Sequence, residues 1–508
     1  MLSTTRMWML RLMTSDRTIE AIAGVAAGTI LIVAFGLYWA TFVPSSLAVV
    51  AVTLVVAGVL TLLHSSVLGQ LTQRMPPFVR WAVASCGVAA LPVVWKWVLT
   101  KQSLVPITAY DSTVMTVAVH AAFALPLLGG AVVCGGLLSR RTGQPTEGGV
   151  SRWYWVGLAV SECVVPWTVM VNVGADRLLS GLAAGLLFLA GGSLLFARED
   201  KESVPATRSE PQEGAGWLAL VLASLAGFGL AKVSLMADQL VLETLMFKGC
   251  LWAGLLIGMV AGTGGRSTAG CPGLVRTAAW CLGGAACLGL WIFPWGMRWA
   301  VWSSAHVSSL TGIFLAKGAI PFLLAAPWGV VVGRLVKVRL SGGIVWALAG
   351  GFATAQGLPV STNMALPVLG TIGFLAGVAT LDHGFWNWRP FTGYARWRVA
   401  GLAVNILLIG GVWLTRGAFD PVQSARVVFS GEAFASAANG YDLDTILKAD
   451  RGRCLVKHEA EGVVWTHWRT RGNQSIVRRN GIPVSQTTLD PGLGPQNFWS
   501  TMAVLVPV

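Results

Sequence analysis

Residues 216–261, GWLALVLASLAGFGLAKVSLMADQLVLETLMFKGCLWAGLLIGMVA, place two long apolar runs next to each other with only a few charged side chains between them. A helix rises 1.5 Å per residue, so about 20 apolar residues are needed to cross about 30 Å of hydrocarbon. The stretch therefore predicts two membrane-spanning helices, over 216–235 and 239–261.

The composition of the whole chain agrees with this local pattern. Charged residues are 11% and hydrophobic residues 55% of the sequence, whereas an average soluble domain has about 25% charged residues. The mean hydropathy is +0.67. The 61 Gly and 24 Trp suit close helix packing and headgroup-level indoles. The sequence therefore predicts a polytopic membrane protein, and the net charge of +14 does not indicate nucleic acid, because the bases lie between apolar segments.

Apolar runs of sufficient length recur along the chain and predict about thirteen helices. With the N terminus in the cytoplasm, most Lys and Arg fall in cytoplasmic loops, and only Lys101, Arg177 and Arg298 fall in short outer loops. The predicted spans are 19–41, 46–69, 80–99, 113–138, 153–174, 177–197, 216–235, 239–261, 275–295, 308–333, 342–358, 364–381 and 398–415.

A long polar interruption, AREDKESVPATRSEPQEGAG, follows the sixth span. Six helices, a charged linker and six more helices form a layout typical of transporters built from parallel repeats. The predicted fold class is an all-α polytopic membrane bundle of about 12–13 transmembrane helices in a 6+6+1 layout, with a small C-terminal antiparallel β meander. The predicted domains are 1–197 and 216–384 (the two six-helix halves), 198–215 (the linker), 385–415 (an extra helix) and 416–508 (a soluble α+β tail).

The tail has the pattern of a small β structure. One short helix is predicted from Leu443 to Lys448. GVVWTHWRT alternates apolar and polar residues, QSIVRR predicts a second strand, and the Asn480-Gly481 pair predicts a turn into a third. Three strands are near the lower limit for independent stability, so this meander is expected to pack against a partner.

Charged residues inside apolar segments are the main candidates for functional sites, since each costs at least about 2.5 kcal/mol at the centre of a bilayer. The candidates are Glu162, Lys232, Glu243 and Lys317. In a proton-coupled transporter, Glu162 or Glu243 would carry the proton and Lys232 or Lys317 would neutralise it. The alternative is that these charges pair structurally or snorkel to the interface.

Cysteine and histidine patterns indicate neither a disulfide framework nor a metal site. The eight cysteines include no CxxC spacing, and the six histidines are scattered. GLGPQ at 492–496 lacks the third glycine and the preceding strand of a nucleotide-binding loop. No catalytic, cofactor-binding or metal-binding residue is predicted, and no cofactor is expected.

Residues 458–508 resemble the small N-terminal β-domain of spermidine-synthase-like proteins, in bacterial chains that fuse a major-facilitator-like membrane region to an aminopropyltransferase-like domain. Glu461-Gly462 before the first strand, Arg479-Asn480-Gly481 at the turn, and Ser485 carry the resemblance. Two membrane stretches, 227–266 and 342–370, are similar in style to that family. The resemblance implies that a doubly wound catalytic domain follows the β-domain, and this chain is expected to lack it.

Three functions remain open from the sequence. The first is a membrane-embedded member of the spermidine-synthase-like fusion family, without catalytic activity of its own. The second is a major-facilitator-like secondary transporter of a small solute. The third is a membrane scaffold whose tail, 455–508, docks a soluble domain or protein. All three place the chain in the bilayer, in a bacterial inner membrane with a cytoplasmic N terminus, and thirteen spans place the tail outside the cytoplasm.

Overall fold

The structure is a computed structural model of the 508-residue chain. It describes most of the apolar segments and most of the tail. The described residues are 16–42, 45–64, 75–139, 152–168, 175–195, 216–241, 244–263, 271–336, 341–358, 360–379, 393–429, 431–449, 452–460, 463–469 and 474–488.

Long helices occupy the apolar segments. They are α1 Asp16–Thr41, α2 Ser46–His64, α3 Pro77–Gln102, α4 Thr113–Leu138, α5 Arg152–Thr168, α6 Ala175–Leu195, α7 Gly216–Leu240, α8 Leu245–Thr263, α9 Cys271–His306, α10 Leu310–Val336, α11 Ser341–Gly357, α12 Thr362–Ala379 and α13 Gly393–Leu414. A five-residue π-helical segment, Leu125–Gly129, interrupts α4 at Pro126. Each predicted span overlaps one of these helices within the described residues.

Eight of the described helices are long and apolar enough to cross a membrane: α1, α3, α4, α7, α8, α9, α10 and α12. Three shorter apolar helical segments lie in α2, α6 and α13. The chain is therefore a multi-pass membrane protein with a predominantly helical fold, which confirms the predicted fold class. The number of helices that cross the membrane beyond these eight stays a prediction.

Several boundaries differ from the predicted ones, among them the start of α8, which lies at Leu245 and not at 239, and the ends of α7 and α9. Helix α7 continues to Leu240, where the sequence predicted an end at 235, because Asp238 and Gln239 are buried and do not break it. Helix α9 has 36 residues and ends at His306, about 54 Å at 1.5 Å per residue. It exceeds the hydrocarbon thickness by several turns, so its C-terminal part extends beyond the predicted span 275–295.

The chain divides into two compact units. The first comprises Met1–Phe228, Trp252–Cys281 and Ala326–Thr354, and the second comprises Gly229–Leu251, Leu282–Ala325 and Ala355–Val508. The division passes through five of the long helices, α7 to α11. The second unit therefore combines helix segments with the tail.

In the first unit, α1 packs on α5, α2 on α4, and α3 on α6. The contact between α1 and α5 is made by small residues. A Cβ added at Gly24 would overlap the Tyr154 carbonyl, and one added at Gly28 would overlap the Ser161 hydroxyl. Gly24 and Gly28 form a GxxxG pattern, which lets two backbones approach closely where lipid provides no hydrophobic driving force between helices.

The same kind of close approach recurs later in the first unit. A Cβ at Gly227 in α7 would overlap the Leu348 carbonyl in α11, and one at Gly258 in α8 would overlap the Ala326 carbonyl in α10. In the second unit, Gly283 in α9 lies directly against the Phe374 ring in α12. The helix pairs 1·5, 2·4 and 3·6 are therefore followed, six helices later, by 7·11, 8·10 and 9·12.

The described part of the tail contains three short α-helices and one sheet. The helices are α14 Pro421–Val427, α15 Gly431–Ala438 and α16 Leu443–Ala449. Helix α16 confirms the predicted short helix, whereas the sequence did not predict α14 and α15. Phe419, which precedes α14, is fully buried and packs edge-to-face on Phe293 of α9 at 4.9 Å between ring centroids.

The sheet has four antiparallel strands in the order β1-β2-β3-β4, which confirms the predicted meander and adds a strand before it. The strands are β1 Arg453–Ala460, β2 Val463–Arg469, β3 Gln474–Arg479 and β4 Ile482–Thr488. Val464, Thr466 and Trp468 of β2 are buried and define the inner face. Because side chains alternate along a strand, Trp465, His467 and Arg469 lie on the opposite, outer face.

The close contact between α1 and α5 gives a test of the fold. Gly24→Ala would force the two backbones apart, and we expect a loss of about 1–3 kcal/mol in the free energy of unfolding. Gly181→Ala in α6 is the control, because a Cβ there meets nothing within 4 Å. That change should be neutral or stabilising by up to about 1 kcal/mol. Thermal unfolding of the purified protein in detergent compares them, and equal midpoints would contradict the packing described for α1 and α5.

Candidate functional site

The C-terminal turns of α7 carry polar side chains that are buried within the protein. Lys232 is 4% exposed, Asp238 is 7% exposed and Gln239 is fully buried. All three belong to the second unit, which also contains the sheet. A buried charge or amide needs partners to offset its desolvation, and each of these residues finds them.

Lys232 pairs with Glu459 of β1. The Lys232 Nζ lies 3.9 Å from the Glu459 Oε1, and both side chains are less than 10% exposed. The Thr362 backbone N–H and hydroxyl, at the start of α12, also donate to this oxygen, at 3.2 and 3.1 Å. The Glu459 Oε2 is buried and accepts no hydrogen bond from the described residues, so the contacts of the carboxylate described here are made by Oε1. The first strand of the sheet is thereby attached to two membrane helices.

Gln239 provides a second attachment. Its Nε2 donates to the Asn480 Oδ1 at 2.8 Å, and its Oε1 accepts from the Ser424 hydroxyl of α14 at 3.4 Å. The same Asn480 Oδ1 accepts from the Val464 N–H at 2.9 Å, and the Asn480 N–H donates to the Val464 carbonyl at 2.8 Å. The end of α7 is therefore connected to the β3–β4 turn, the start of β2 and a tail helix by one buried network.

The backbone of the β3–β4 turn, which contacts Gln239, requires two residues that adopt positive φ values. Asn480 and Gly481 have φ values of 48° and 86°, which a two-residue type I′ hairpin needs and which Asn-Gly adopts readily. A Cβ on Gly481 would come within 2.7 Å of the Phe429 ring. The predicted Asn-Gly turn is confirmed, and it also serves as a contact to the membrane helices.

Further contacts join the helix ends of the second unit. The Lys248 Nζ of α8 lies 2.7 Å from both oxygens of Asp238 and 3.1 Å from the Ser234 hydroxyl, which closes the α7–α8 hairpin. Lys317 of α10 lies over the Phe434 ring of α15 at 5.5 Å. A cation–π contact of this kind contributes about 0.5–2 kcal/mol.

Arg298 of α9 forms an ion pair with Asp444 of α16 at 3.1 Å. Both side chains are more than half exposed, so water screens the pair and its contribution is about 0–1 kcal/mol. It adds a contact between a membrane helix and the tail, but it contributes little to stability. The buried contacts of Lys232 and Gln239 contribute more to the attachment of the tail.

The four predicted intramembrane charges have different positions. Lys232 and Lys317 both contact the tail. Glu243 lies outside the described residues. Glu162 belongs to the first unit, where it is 6% exposed in α5, the helix that packs closely on α1. The structure therefore places two of the four against the tail: Lys232 contacts the sheet, and Lys317 contacts a tail helix.

Sequence reasoning missed five residues of this site: Gln239, Thr362, Ser424, Glu459 and Asn480. Asn480 was predicted only as a turn residue. Glu459 occupies an inner-face position directly opposite the buried Val464, and no sequence signal marked it, because strand β1 was not predicted. Glu461-Gly462 and residues 489–508, which carry part of the resemblance, lie outside the described residues.

No group of three or more His, Cys, Asp or Glu within the described ranges is arranged to hold a metal ion. Cys454 is the tail's cysteine; burial raises the pKa of its thiol above the ordinary value, and its Sγ donates to the Val456 carbonyl at 3.3 Å. The thiol is therefore protonated at neutral pH, which makes it a weak nucleophile.

No protein-family model matches the chain, and no curated protein matches it.

The buried ion pair predicts a large effect of one substitution. Glu459→Gln keeps the shape of the side chain but removes the carboxylate charge that pairs with the buried Lys232 ammonium. Breaking such a pair costs about 3–5 kcal/mol, so we expect faster amide hydrogen exchange in β1 and β2 and a lower unfolding midpoint.

Asp444→Asn is the matched control, since it removes one carboxylate of an exposed pair and should change the stability by less than about 1 kcal/mol. Replacing Lys232 and Glu459 together by Met should restore much of the loss, because no unpaired charge then remains. Equal exchange in Glu459→Gln and Asp444→Asn would refute the role of the buried pair.

Proposed function

We propose that the protein is a membrane-anchored docking platform, in which the helices hold the C-terminal sheet in a fixed position and the sheet receives a soluble domain or protein. The observation that carries this proposal is the buried attachment of β1 to α7 through Lys232 and Glu459. A flexibly tethered tail would not need two buried polar networks to its membrane helices. Such attachments fix the sheet's orientation, which a docking surface requires.

The sheet offers edges to a partner. Strands β1 and β4 form its two edges within the described part of the tail. In β4, Val484 is 55% exposed and follows Pro483. An edge strand presents unpaired backbone groups that another chain can pair with. An edge that is held rigidly loses less conformational entropy when a partner binds.

The same arrangement is compatible with the spermidine-synthase-like resemblance. In that reading the membrane region is an anchor, the sheet is the small β-domain, and the docked partner is the aminopropyltransferase-like domain. The four-stranded antiparallel sheet that follows the last long helix and three short helices supports this. No residue of this chain is assigned a catalytic role in polyamine synthesis, and the proposed platform has no catalytic activity of its own.

The proposed location is the inner membrane of a bacterium, with the N terminus in the cytoplasm. If all thirteen long helices span the bilayer, the tail lies on the opposite side. The charge distribution of the loops supports this orientation, since most bases of the short loops then face the cytoplasm. A docking partner would accordingly be a protein or domain outside the cytoplasm.

The platform proposal predicts a position-dependent crosslink. A photo-crosslinking residue at Val484 should capture a soluble polypeptide in intact cells, whereas one at Leu407, which is 73% exposed on the apolar helix α13, should not. Glu459→Gln should lower the yield at Val484, because it loosens the sheet from α7. If the crosslinker at position 484 captures no polypeptide, or if Glu459→Gln leaves the crosslinking yield unchanged, the platform proposal fails.

A secondary transporter of a small solute is a second candidate, and two observations favour it. The helix pairs 1·5, 2·4 and 3·6 recur as 7·11, 8·10 and 9·12, as expected for the two halves of a parallel-repeat transporter. Glu162 is an acid buried in α5, and an ionisable group within a membrane helix is a candidate proton carrier. The two six-helix halves remain a proposal on the same grounds.

Glu162→Gln tests this second candidate. In proteoliposomes that contain a pH-sensitive dye, a proton-coupled transporter should acidify the lumen when a transported solute is added from a panel of metabolites. Glu162→Gln should abolish that signal without lowering the unfolding midpoint. Asp444→Asn should leave the signal unchanged. Lys232→Met is a poorer test, because it would also disturb the sheet. A signal that survives Glu162→Gln would exclude Glu162 as the carrier.

A further inference from the structure

A histidine is buried inside a membrane helix of the first unit. His120 of α4 is 5% exposed, and its Nδ1 lies 3.1 Å from the hydroxyl oxygen of Tyr38, which is fully buried in α1. Both helices are long and apolar enough to cross a membrane. The charged form of a side chain is costly in such a segment, so an ionisable residue there points to a functional site.

The Tyr38 hydroxyl suits the imidazole in either protonation state. A hydroxyl both donates and accepts, whereas an imidazole nitrogen accepts when it is bare and donates when it carries a proton. The hydroxyl oxygen also lies 3.5 Å from the backbone carbonyl oxygen of His120. It therefore donates to a bare Nδ1. When Nδ1 is protonated, the hydroxyl accepts from it and turns its own hydrogen towards the carbonyl.

The other described contacts of the imidazole are aromatic. The ring of Phe42, which follows α1, and the ring of Tyr110 lie edge-to-face with it, at 5.2 and 6.1 Å between centroids. Tyr110 belongs to a 3₁₀-helix, Ile107–Tyr110, and is 38% exposed. None of these contacts provides a carboxylate. The exposed Tyr110 places the imidazole close to the protein surface, where a proton reaches it without crossing the bilayer.

The described elements around this site bring charges only to the exposed surface. Helix α2, which packs on α4, contains no charged residue, and its one histidine, His64, is at its far end. The charged residues near this end of the first unit are all exposed: Lys96 and Lys101 of α3, and Asp111 after the 3₁₀-helix. A protonated His120 would therefore have no buried counter-charge among its described neighbours.

Helix α4 has a point of flexion next to His120. The π-helical segment Leu125–Gly129 begins five residues after His120 and includes Pro126. Single π-helical turns inside α-helices are frequent at functional sites, and helices often kink there. This segment separates the first part of α4, Thr113–Ala124, from the rest of the helix.

We propose that His120 and Tyr38 form a proton-binding site, and that proton uptake there releases the first part of α4 from α1. A buried cation needs a counter-charge or water. Since the described contacts of His120 include no counter-charge, the protonated site favours a conformation in which water solvates the imidazole. The ligand is the proton, and the moving element is Thr113–Ala124.

This site is distinct from Glu162. Gly28 of α1 lies against Ser161, the residue before Glu162, and precedes Tyr38 by ten residues. The separation along α1 is about 15 Å, which is too far for direct proton exchange. The inference goes beyond the platform function and requires no transported solute. For the second candidate, a proton-coupled transporter, it supplies a further proton site.

The proposal makes the contact between α1 and α4 dependent on pH. If the open state holds one more proton than the closed state, the opening constant rises by up to about tenfold for each pH unit that is lost. Amide hydrogen exchange of residues 113–124, corrected for the intrinsic effect of pH, measures this constant in the full chain in nanodiscs. Protection should fall by at least about tenfold, or about 1.4 kcal/mol, between about pH 8 and about pH 5.

Three variants separate the proton site from a general effect of pH. His120→Gln keeps an acceptor for the Tyr38 hydroxyl but cannot titrate, so protection should change by less than about twofold over the same range. His306→Gln is the matched control, because His306 is exposed on α9, where it stacks on Trp302. It should keep the pH dependence of the native chain. Tyr38→Phe should lower the protection of 113–124 at every pH, because it removes the hydrogen bond between α1 and the imidazole.

A second measurement does not depend on the folding of His120→Gln. In NMR spectra of the chain with labelled histidine, the His120 signal is assigned by replacing the other histidines one at a time. It should titrate as the protection of 113–124 is lost. A His120 signal that stays constant over this range would overturn the proposal. So would equal pH dependence in the native chain and in His120→Gln, or unchanged protection in Tyr38→Phe.

These outcomes are separable from those of the proposed functions. If the proteoliposomes give no proton-coupled signal while exchange still depends on His120, the proton site stands and the transporter candidate fails. If that signal is present while exchange of 113–124 is independent of pH, the transporter candidate stands and the proton site is refuted. The crosslink at position 484 tests the platform independently of both.

Discussion

The buried ion pair between Lys232 and Glu459 constrains everything that follows the last long helix. A lysine near the end of a membrane helix would ordinarily extend to the headgroups or to water. Here it is 4% exposed and faces a strand of the tail. Breaking a buried ion pair destabilises a protein far more than the loss of an exposed pair does. Separation of the tail from α7 would therefore cause a large loss in stability. The sheet therefore behaves as part of the membrane unit.

The helices themselves depend on a different constraint. Lipid chains are as apolar as the helix surfaces, so burial alone does not select which helices pair. The pairs α1·α5, α7·α11 and α8·α10 are selected by glycines whose missing Cβ lets a carbonyl of the neighbour approach. The high glycine content that marked the chain as a membrane protein thus has a local role in choosing partners. Its recurrence six helices apart favours a repeated architecture.

The sequence predicted the helices well and the site poorly, for physical reasons. An apolar run long enough to cross a bilayer is a strong local signal, and each of the thirteen predicted spans overlaps a helix where the structure describes it. Strand β1 was missed because its residues, Arg453 to Ala460, are polar on both faces and show no alternation. Lys232 was recognised as an unusual charge, but its partner lies in the distant tail, and no local pattern predicts which acid a buried lysine will meet. The end of α7 was placed too early because Asp238 and Gln239 look like solvent-exposed residues, whereas Lys248 and Asn480 bind them within the protein.

The β3–β4 turn shows how one local sequence can satisfy two requirements. Asn480 adopts a positive φ that its hairpin needs, and most other side chains would be strained there. Its side chain then accepts hydrogen bonds from both Val464 and Gln239. Because Glu459 lies on the inner face, its contact with Lys232 orients that face towards α7. With the inner face committed to membrane helices, the arginines of the outer face are directed to the other side. The sheet is therefore attached to the membrane helices through its inner face and its β3–β4 turn.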